Sequence, residues 1–182
     1  HVVNTGMHGI MEAHKDPAFK GVLNSADILA PDGILAILTA RFLGYRLSKQ
    51  ETGPDLLWRF SETANKRGYT YFFLGDTEHT LERLSFNLTS AFPGIKIGGV
   101  NSPPFREWTP EEDAAIVASI NEAKPDVLWV GLGMPKQEQW ISDHRTALDV
   151  PVVVGAGASL KFLSGTVSRA PSLVCNLGFE WL

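Results

Sequence analysis

Short runs of apolar and small residues alternate with longer stretches that mix apolar and polar positions along most of the chain. The short runs have the length of buried strands, and the mixed stretches are long enough to form helices. Predicted strands cover 2–3, 28–30, 70–74, 96–100, 126–130 and 151–154, and predicted helices cover about 9–23, 34–43, 54–67, 77–92, a stretch that opens at 109, and 135–144.

Capping residues mark several of these helices. Thr109 is followed by Pro110 and two glutamates, which is typical of an N-cap, a first helical residue and an acidic first turn. Thr77 occupies a similar position before a stretch that Pro93 ends. Because apolar strands each precede a helix, the pattern predicts a parallel sheet that helices cover on both faces. We expect a Rossmann-like α/β fold in a single domain over residues 1–182.

Both ends of the sequence suggest that the natural protein is longer. The chain opens on His1-Val2-Val3, which resembles the interior of a strand, and it stops after Phe179 and Trp181 without a polar tail. No signal peptide is visible. No stretch approaches the roughly 20 apolar residues that cross a bilayer.

Composition and charge narrow the partners. Hydrophobic residues make up 44% and charged residues 20%, as in an ordinary globular protein. The formal net charge of -4 argues against nucleic acid as the main partner, because binding to a phosphate backbone requires a basic face. Cys175 is the single cysteine, so an internal disulfide cannot form, which suits a reducing cytoplasm.

Ligands of parallel α/β folds bind outside the carboxyl ends of the strands. The segments predicted at that edge are 4–6, 31–33, 75–77, 131–137 and 155–159. Most of them contain glycine, which permits close backbone approach, and helices that follow them supply N–H groups and a positive dipole end. These features suit a phosphate-bearing ligand. Glycine after a strand is also ordinary turn chemistry, so the pattern does not name the ligand.

Several familiar motifs are missing from the sequence. There is no complete G-x-G-x-x-G, no P-loop, no G-x-S-x-G and no H-E-x-x-H. The nearest match to a metal-holding Asp-x-Asp pair is Asp76-Thr77-Glu78, for which acids in the first turn of a helix are the plainer explanation. Any diphosphate chemistry should therefore depend on backbone N–H groups and basic side chains. We expect neither a metal ion nor a cofactor.

Three polar residues near the first two strands could carry chemistry. Asp32 could take the proton of an attacking sugar hydroxyl, although Pro-Asp-Gly is also a common turn. Thr5 could bind a phosphate or a sugar hydroxyl, and capping the next helix is an equal alternative. His8 could act as a base or hydrogen-bond donor, whereas a lone histidine is more often structural.

Two further segments supply polar candidates. Lys136 and Gln137 fall in the predicted first turn of a helix, where a lysine opposes the helix dipole; a ligand contact and a solvated turn are both open. Arg169 could contact a phosphate or a lipid headgroup, although surface placement is the default.

Taken together, these segments resemble the WecG/TagA/CpsF glycosyltransferases. The matching stretches follow the family's order and span essentially the whole chain: 24–33, 53–56, 125–138, 155–159, 169–171 and 177–182. Each motif alone is weak, and the ordered set is the signal.

The resemblance implies an inverting, metal-independent transfer from a UDP-sugar, often UDP-N-acetylmannosamine, to a sugar on an undecaprenyl diphosphate lipid. Products of the family enter teichoic acid linkage units, enterobacterial common antigen, capsule or exopolysaccharide. Asp32 matches the proposed general base, and Thr5 is the best match to a threonine of the same pocket. Backbone N–H groups at the glycine turns would stabilise the departing diphosphate.

We therefore assign catalysis to Asp32 and Thr5. Substrate contacts are assigned to residues of the same predicted edge and of the matching motifs: His8, Asn24, Gly33, Gly75, Asp76, Gly131, Gly133, Lys136, Gln137, Gly155, Gly157 and Ser159. Arg169 is assigned to membrane or acceptor contact. The resemblance also implies peripheral attachment to the inner face of the cell membrane and assembly into homo-oligomers.

The sequence departs from the family in three places. Gly6 stands where asparagine is usual, Lys161 stands where many members have aspartate, and the basic appendage that follows Glu-Trp-Leu in the family is missing. The resemblance implies that position 161 takes part in uracil recognition. Lys161 at this position therefore leaves the identity of the donor open. The departures leave open a nucleotide-sugar-binding module without catalysis. An NAD-dependent oxidoreductase is a third alternative, which the missing glycine fingerprint opposes.

Overall fold

The structure is a computed structural model that describes residues 1–47 and 51–168. Six strands are present in this part of the chain: β1 (Val2–Thr5), β2 (Ile28–Pro31), β3 (Thr70–Gly75), β4 (Lys96–Asn101), β5 (Val127–Gly131) and β6 (Val152–Gly155). All their pairings are parallel, in the order β2-β1-β6-β5-β3-β4. The predicted parallel α/β fold and its six strands are confirmed.

The helices of the same residues are α1 (Met7–Lys15), α2 (Pro17–Asn24), α3 (Ile34–Phe42), α4 (Gly53–Arg67), α5 (Glu78–Ala91), α6 (Pro110–Ala123), α7 (Lys136–His144) and α8 (Ser159–Ser164). Two predicted caps are confirmed. Thr77 accepts a hydrogen bond from the Thr80 backbone N–H, and Thr109 forms a reciprocal capping box with Glu112.

The single helix predicted over 9–23 is wrong, because the chain breaks there into α1 and α2. Pro17 lacks a backbone N–H and its ring would collide with the preceding turn, so it strongly disfavours a helix that continues through it. It begins α2 instead, and the Asp16 carboxylate accepts a hydrogen bond from Ala18 N at 2.8 Å. This aspartate and proline form an N-cap and first helical residue.

The two largest apolar clusters lie on opposite faces of the sheet. Side chains alternate along β5, so Trp129 enters the core beneath α4, α5 and α8, while Leu128 and Val130 enter the core beneath α6 and α7. The chain leaves β5 toward one face and leaves β6 toward the other. Such a divergence opens a crevice at the carboxyl ends of the strands, which is where ligands of parallel sheets bind.

Candidate active site at the carboxyl edge of the sheet

The strand register brings most of the predicted site segments to one edge at the same height. Thr5 pairs with Pro31 at the end of β1 and β2, and Gly75 pairs with Gly131 at the end of β3 and β5. The end of β6 lies between β1 and β5. The segments that follow these five strands therefore form a continuous row, which we call the carboxyl edge.

The row is long because the strand order separates its ends. Asp32 follows the edge strand β2, and Gly75 ends β3, four positions away in the sheet. Neighbouring strands lie about 4.8 Å apart, so these two positions are separated by about 19 Å. The loop after β6 is about 10 Å from the end of β2 on the same basis. A ligand that touches both ends of the row must be extended.

The turn after β2 packs against the turn after β1. Asp32 N donates to the Thr5 carbonyl oxygen at 2.8 Å, and Asp32 is half-buried. A Cβ on Gly6 would lie 2.8 Å from the Asp32 carbonyl oxygen. Glycine at position 6 thus allows the backbone of the first turn to reach the turn that carries the candidate base. An asparagine there would have to displace one of them.

Thr5 does not cap α1, so that alternative from the sequence is wrong. The N-cap of the helix is Gly6, and no side chain caps it. The Thr5 side chain is 4% exposed, and its hydroxyl lies 3.8 Å from Met134 Sδ, beside Gly9. The hydroxyl therefore lies buried between the turn after β1 and the segment after β5.

The remaining candidates near the first two strands occupy different places. His8 is exposed in the first turn of α1, directly after the carboxyl edge, and Gly33 is the N-cap of α3 with φ of 81°. Asn24 is the last residue of α2, which precedes β2. It is exposed at the amino end of that strand. The structure does not bring Asn24 to the carboxyl edge.

The loop after β3 is held tightly. Gly75 has φ of 114°, and a Cβ there would lie 2.5 Å from the Gly131 carbonyl oxygen. The buried Asp76 accepts a hydrogen bond from Thr77 N at 2.8 Å, and its other carboxylate oxygen lies 3.8 Å from Lys161 Nζ. Asp76 lies before Thr77, the N-cap of α5, and so outside the helix. Its contact with Lys161 links this loop to α8.

The segment after β5 separates the two residues predicted in its first helical turn. Lys136 faces outward, and its Nζ lies 4.3 Å from the centre of the Trp108 ring. Lys136 and Trp108 line a groove of about 630 Å³. Asp113, Trp140 and His144 line the same groove. Polar groups of this groove bond to one another, since Asp113 accepts from Trp140 Nε1 and pairs with His144 Nε2, both at 2.8 Å.

Gln137 turns the other way, toward the loop after β6. The side chain is 3% exposed, and its Oε1 accepts a hydrogen bond from Gly157 N at 3.0 Å. The predicted N–H donor at Gly157 is therefore already bonded within the protein. Gly133 has open space around it, whereas Gly131 is covered by Leu160.

Glu138 is a residue of this edge that the sequence analysis missed. Its Oε1 accepts a hydrogen bond from Gln137 Nε2 at 2.6 Å, and burial raises the pKa of its carboxyl to about 7. A signal was present, because Glu138 lies three residues before the buried Ile141 and so falls on the inward stripe of α7.

The loop after β6 closes the middle of the carboxyl edge. Gly155 lies against the side chains of Gln137 and Glu138, and the buried Ser159 begins α8 and lies beside Gly53 at the start of α4. Small residues thus let three elements meet at this point. Arg169, predicted to contact membrane or acceptor, lies outside the described residues.

Within residues 1–47 and 51–168, no group of three histidine, cysteine, aspartate or glutamate side chains could hold a metal ion. Each helix of the described ranges falls short of the length and apolar character that a membrane span requires.

The fold and this edge define a Rossmann-like α/β domain whose candidate chemistry lies at the carboxyl ends of its strands. Residues 1–182 match the glycosyl transferase WecG/TagA/CpsF family, and the chain belongs to that family. The resemblance drawn from the sequence is confirmed.

Curated relatives carry a common name, N-acetylglucosaminyldiphosphoundecaprenol N-acetyl-beta-D-mannosaminyltransferase. The chain is 31% identical to the one from Bacillus spizizenii over 171 residues, which cover 94% of this chain and 65% of that protein. It is 31% identical to the Bacillus subtilis protein over 169 residues (93% and 64%). The identity to a Staphylococcus aureus protein is 28% over 165 residues (91% and 63%). The chain therefore spans slightly less than two thirds of these relatives.

Proposed function

We propose that this chain is the catalytic domain of a glycosyltransferase that moves N-acetylmannosamine, or another hexose, from a UDP-sugar to a sugar on a polyprenyl diphosphate. The observation that carries the proposal is the family match over 1–182 together with the position of Asp32 at the carboxyl edge. The names of the relatives describe the same acceptor class and the same transferred sugar.

The proposed reaction is a single displacement with inversion. Asp32 accepts the proton of the acceptor hydroxyl, the hydroxyl oxygen forms a bond to the anomeric carbon, and the bond from that carbon to the diphosphate oxygen breaks. UDP leaves with the bonding electron pair. Base and leaving group must flank the sugar in such a step. The spacing of about 10 Å between the ends of β2 and β6 leaves room for a hexose between them.

Stabilisation of the departing diphosphate is assigned to the middle of the edge. The helices after β5 and β6 start there, and the amino ends of helices favour anions. Lys161 adds a cation at the start of α8. The mechanism uses these groups and no metal ion. We therefore expect transfer to proceed at an unchanged rate after treatment with a chelator.

Attachment to the inner face of the cell membrane and assembly into homo-oligomers belong to the same proposal. Apolar side chains are exposed on β2 and α3 and directly after them: Ile28, Leu29, Leu35, Leu38, Phe42, Leu43 and Tyr45. Phe42 is 90% exposed. Exposed apolar side chains in this number favour a lipid surface or a second copy as their partner. Vesicle flotation and sedimentation would distinguish the two.

Transfer itself is tested with the full-length protein, a UDP-sugar and an N-acetylglucosaminyl polyprenyl diphosphate. We expect the anomeric configuration of the product, read by NMR, to be opposite to that of the donor. Retention of configuration would reject the single displacement. Binding of UDP without transfer from any UDP-sugar would favour the alternative, a nucleotide-sugar-binding module without catalysis.

A further inference from the structure

Glu138 carries a carboxyl group that the proposed reaction does not use. The residue is 0% exposed in the first turn of α7, and its Oε2 has no hydrogen-bond partner within the described residues. Burying a carboxyl with an unpartnered oxygen costs stability, and an apolar side chain of similar size would fill the same space at lower cost. The group therefore calls for an explanation other than packing.

The carboxyl group is linked to the loop after β6 by one side chain. Glu138 Oε1 accepts from Gln137 Nε2 at 2.6 Å, and Gln137 Oε1 accepts from Gly157 N at 3.0 Å. An amide side chain donates at one end and accepts at the other. By accepting from the nitrogen, the carboxylate directs the amide oxygen toward the Gly157 N–H.

The loop also lies directly on this pair. A Cβ on Gly155 would be 3.0 Å from Gln137 Nε2 and 3.2 Å from Glu138 Oε1. The backbone at the end of β6 thus contacts both side chains, and the next turn is bonded to one of them. A change in the orientation of the Gln137 amide would therefore change its contacts with the loop directly.

We propose that Glu138 is a positioning residue that, through the Gln137 amide, fixes the loop after β6 at the place where the donor diphosphate binds. The identity of the ligand rests on the proposed function. The positioning role of Glu138 does not rest on it, because the ordering of the loop can be measured without a ligand.

Hydrogen exchange of the Gly157 amide, read by NMR on the full chain, tests the positioning directly. Glu138→Leu removes the acceptor while keeping the volume, and we expect Gly157 exchange to become about fivefold faster or more, as expected for loss of one hydrogen bond. Glu138→Gln should preserve slow exchange, because its amide oxygen can still accept from Gln137. Glu122→Gln, the same substitution on the exposed face of α6, is the control.

Titration with UDP gives a second readout. We expect Glu138→Leu to weaken UDP binding about tenfold and Glu138→Gln to bind nearly as the unaltered chain does. A purely packing role predicts the opposite for Glu138→Leu, with unchanged Gly157 exchange and unchanged affinity, and that result would overturn the inference. If Glu138→Leu does not fold, Gln137→Met tests the second half of the link, since it leaves the Gly157 N–H only its longer bond to the Val130 carbonyl oxygen at 3.4 Å and should speed its exchange.

The two readouts separate this inference from the proposed function. If the unaltered chain binds no UDP, the proposed donor is wrong, and Gly157 exchange in the variants still decides the role of Glu138. If UDP binds and Gly157 exchange is the same in Glu138→Leu and the unaltered chain, the positioning role is rejected while the transferase proposal stands.

Discussion

The loops after β3, β5 and β6 differ from the turn after β2, although all four lie on the same edge. A Cβ on Gly75 or Gly155 would meet neighbouring atoms at 2.5 or 3.0 Å, whereas nothing lies within 4 Å of a Cβ on Gly33. Asp32, beside Gly33, is half-buried at the end of an edge strand. The ends of β3 and β6, in the half of the edge assigned to the donor, are closely packed, although Gly133 beyond β5 has open space, whereas the turn at Gly33 beside the candidate base is open. Substitutions should therefore affect the two halves differently.

Gly75→Ala should give the largest loss of stability among these changes. The substitution combines a backbone conformation with φ of 114° and a collision with the Gly131 carbonyl, which together should cost about 4 kcal/mol. Urea unfolding followed by circular dichroism measures the loss. A cost below about 1 kcal/mol would show that the loop after β3 is not packed as described.

Glu138→Gln should change how stability depends on pH. The folded pKa of about 7 lies above the ordinary value of 4.5, so the folded state holds a proton that the unfolded state releases. The unaltered chain should therefore lose about 3 kcal/mol of stability between pH 4.5 and pH 7, and the variant should not lose this contribution. Denaturant unfolding of both at pH 5 and pH 8 measures the difference. Parallel pH profiles would contradict the raised pKa.

Gly33→Ala tests the open half of the edge. Its φ of 81° disfavours any residue with a Cβ, yet the space around it is free, so the cost should be about 2 kcal/mol and smaller than that of Gly75→Ala. The same urea experiment provides the comparison. An equal or larger cost for Gly33→Ala would remove the contrast between the two halves.

Lys161→Met should have the smallest effect on stability. Its ammonium is about half exposed and 3.8 Å from Asp76, and ion pairs of this kind contribute at most about 1 kcal/mol. Asp76 keeps its bond from Thr77 N in the variant. We expect a change below about 0.5 kcal/mol in unfolding and a clear weakening of UDP binding by calorimetry. Unchanged affinity would exclude Lys161 from the diphosphate site.

The sequence predicted the parts of this molecule that follow from local pattern. Buried strands appear as apolar runs, and Thr109 and Thr77 were identified as caps because capping depends on residues three positions apart. Pro17 is a local signal of the same kind for a break between two helices. The spacing of the apolar residues on both sides of it, however, is that of one continuous helix. The gathering of strand ends at one edge follows from parallel pairing alone.

Other features depend on the order of the strands, which no local pattern encodes. The distance of about 19 Å between Asp32 and Gly75 follows from four intervening spacings in the sheet. Asn24 lies close to Asp32 in a matching motif but at the opposite end of β2. A charged residue in a first helical turn usually faces solvent, and this expectation outweighs the helical spacing between Glu138 and Ile141, although the packing beneath Gly155 shows that Glu138 faces inward.

The role of Asp32 is measured most directly with the full-length Asp32→Asn variant, beside Asp149→Asn as a matched exposed control. We predict that sugar transfer falls by about a hundredfold or more in Asp32→Asn, while UDP affinity stays within about twofold, because the base lies beside the open turn after β2. Transfer at the unaltered rate in Asp32→Asn would contradict the role of Asp32 as the base.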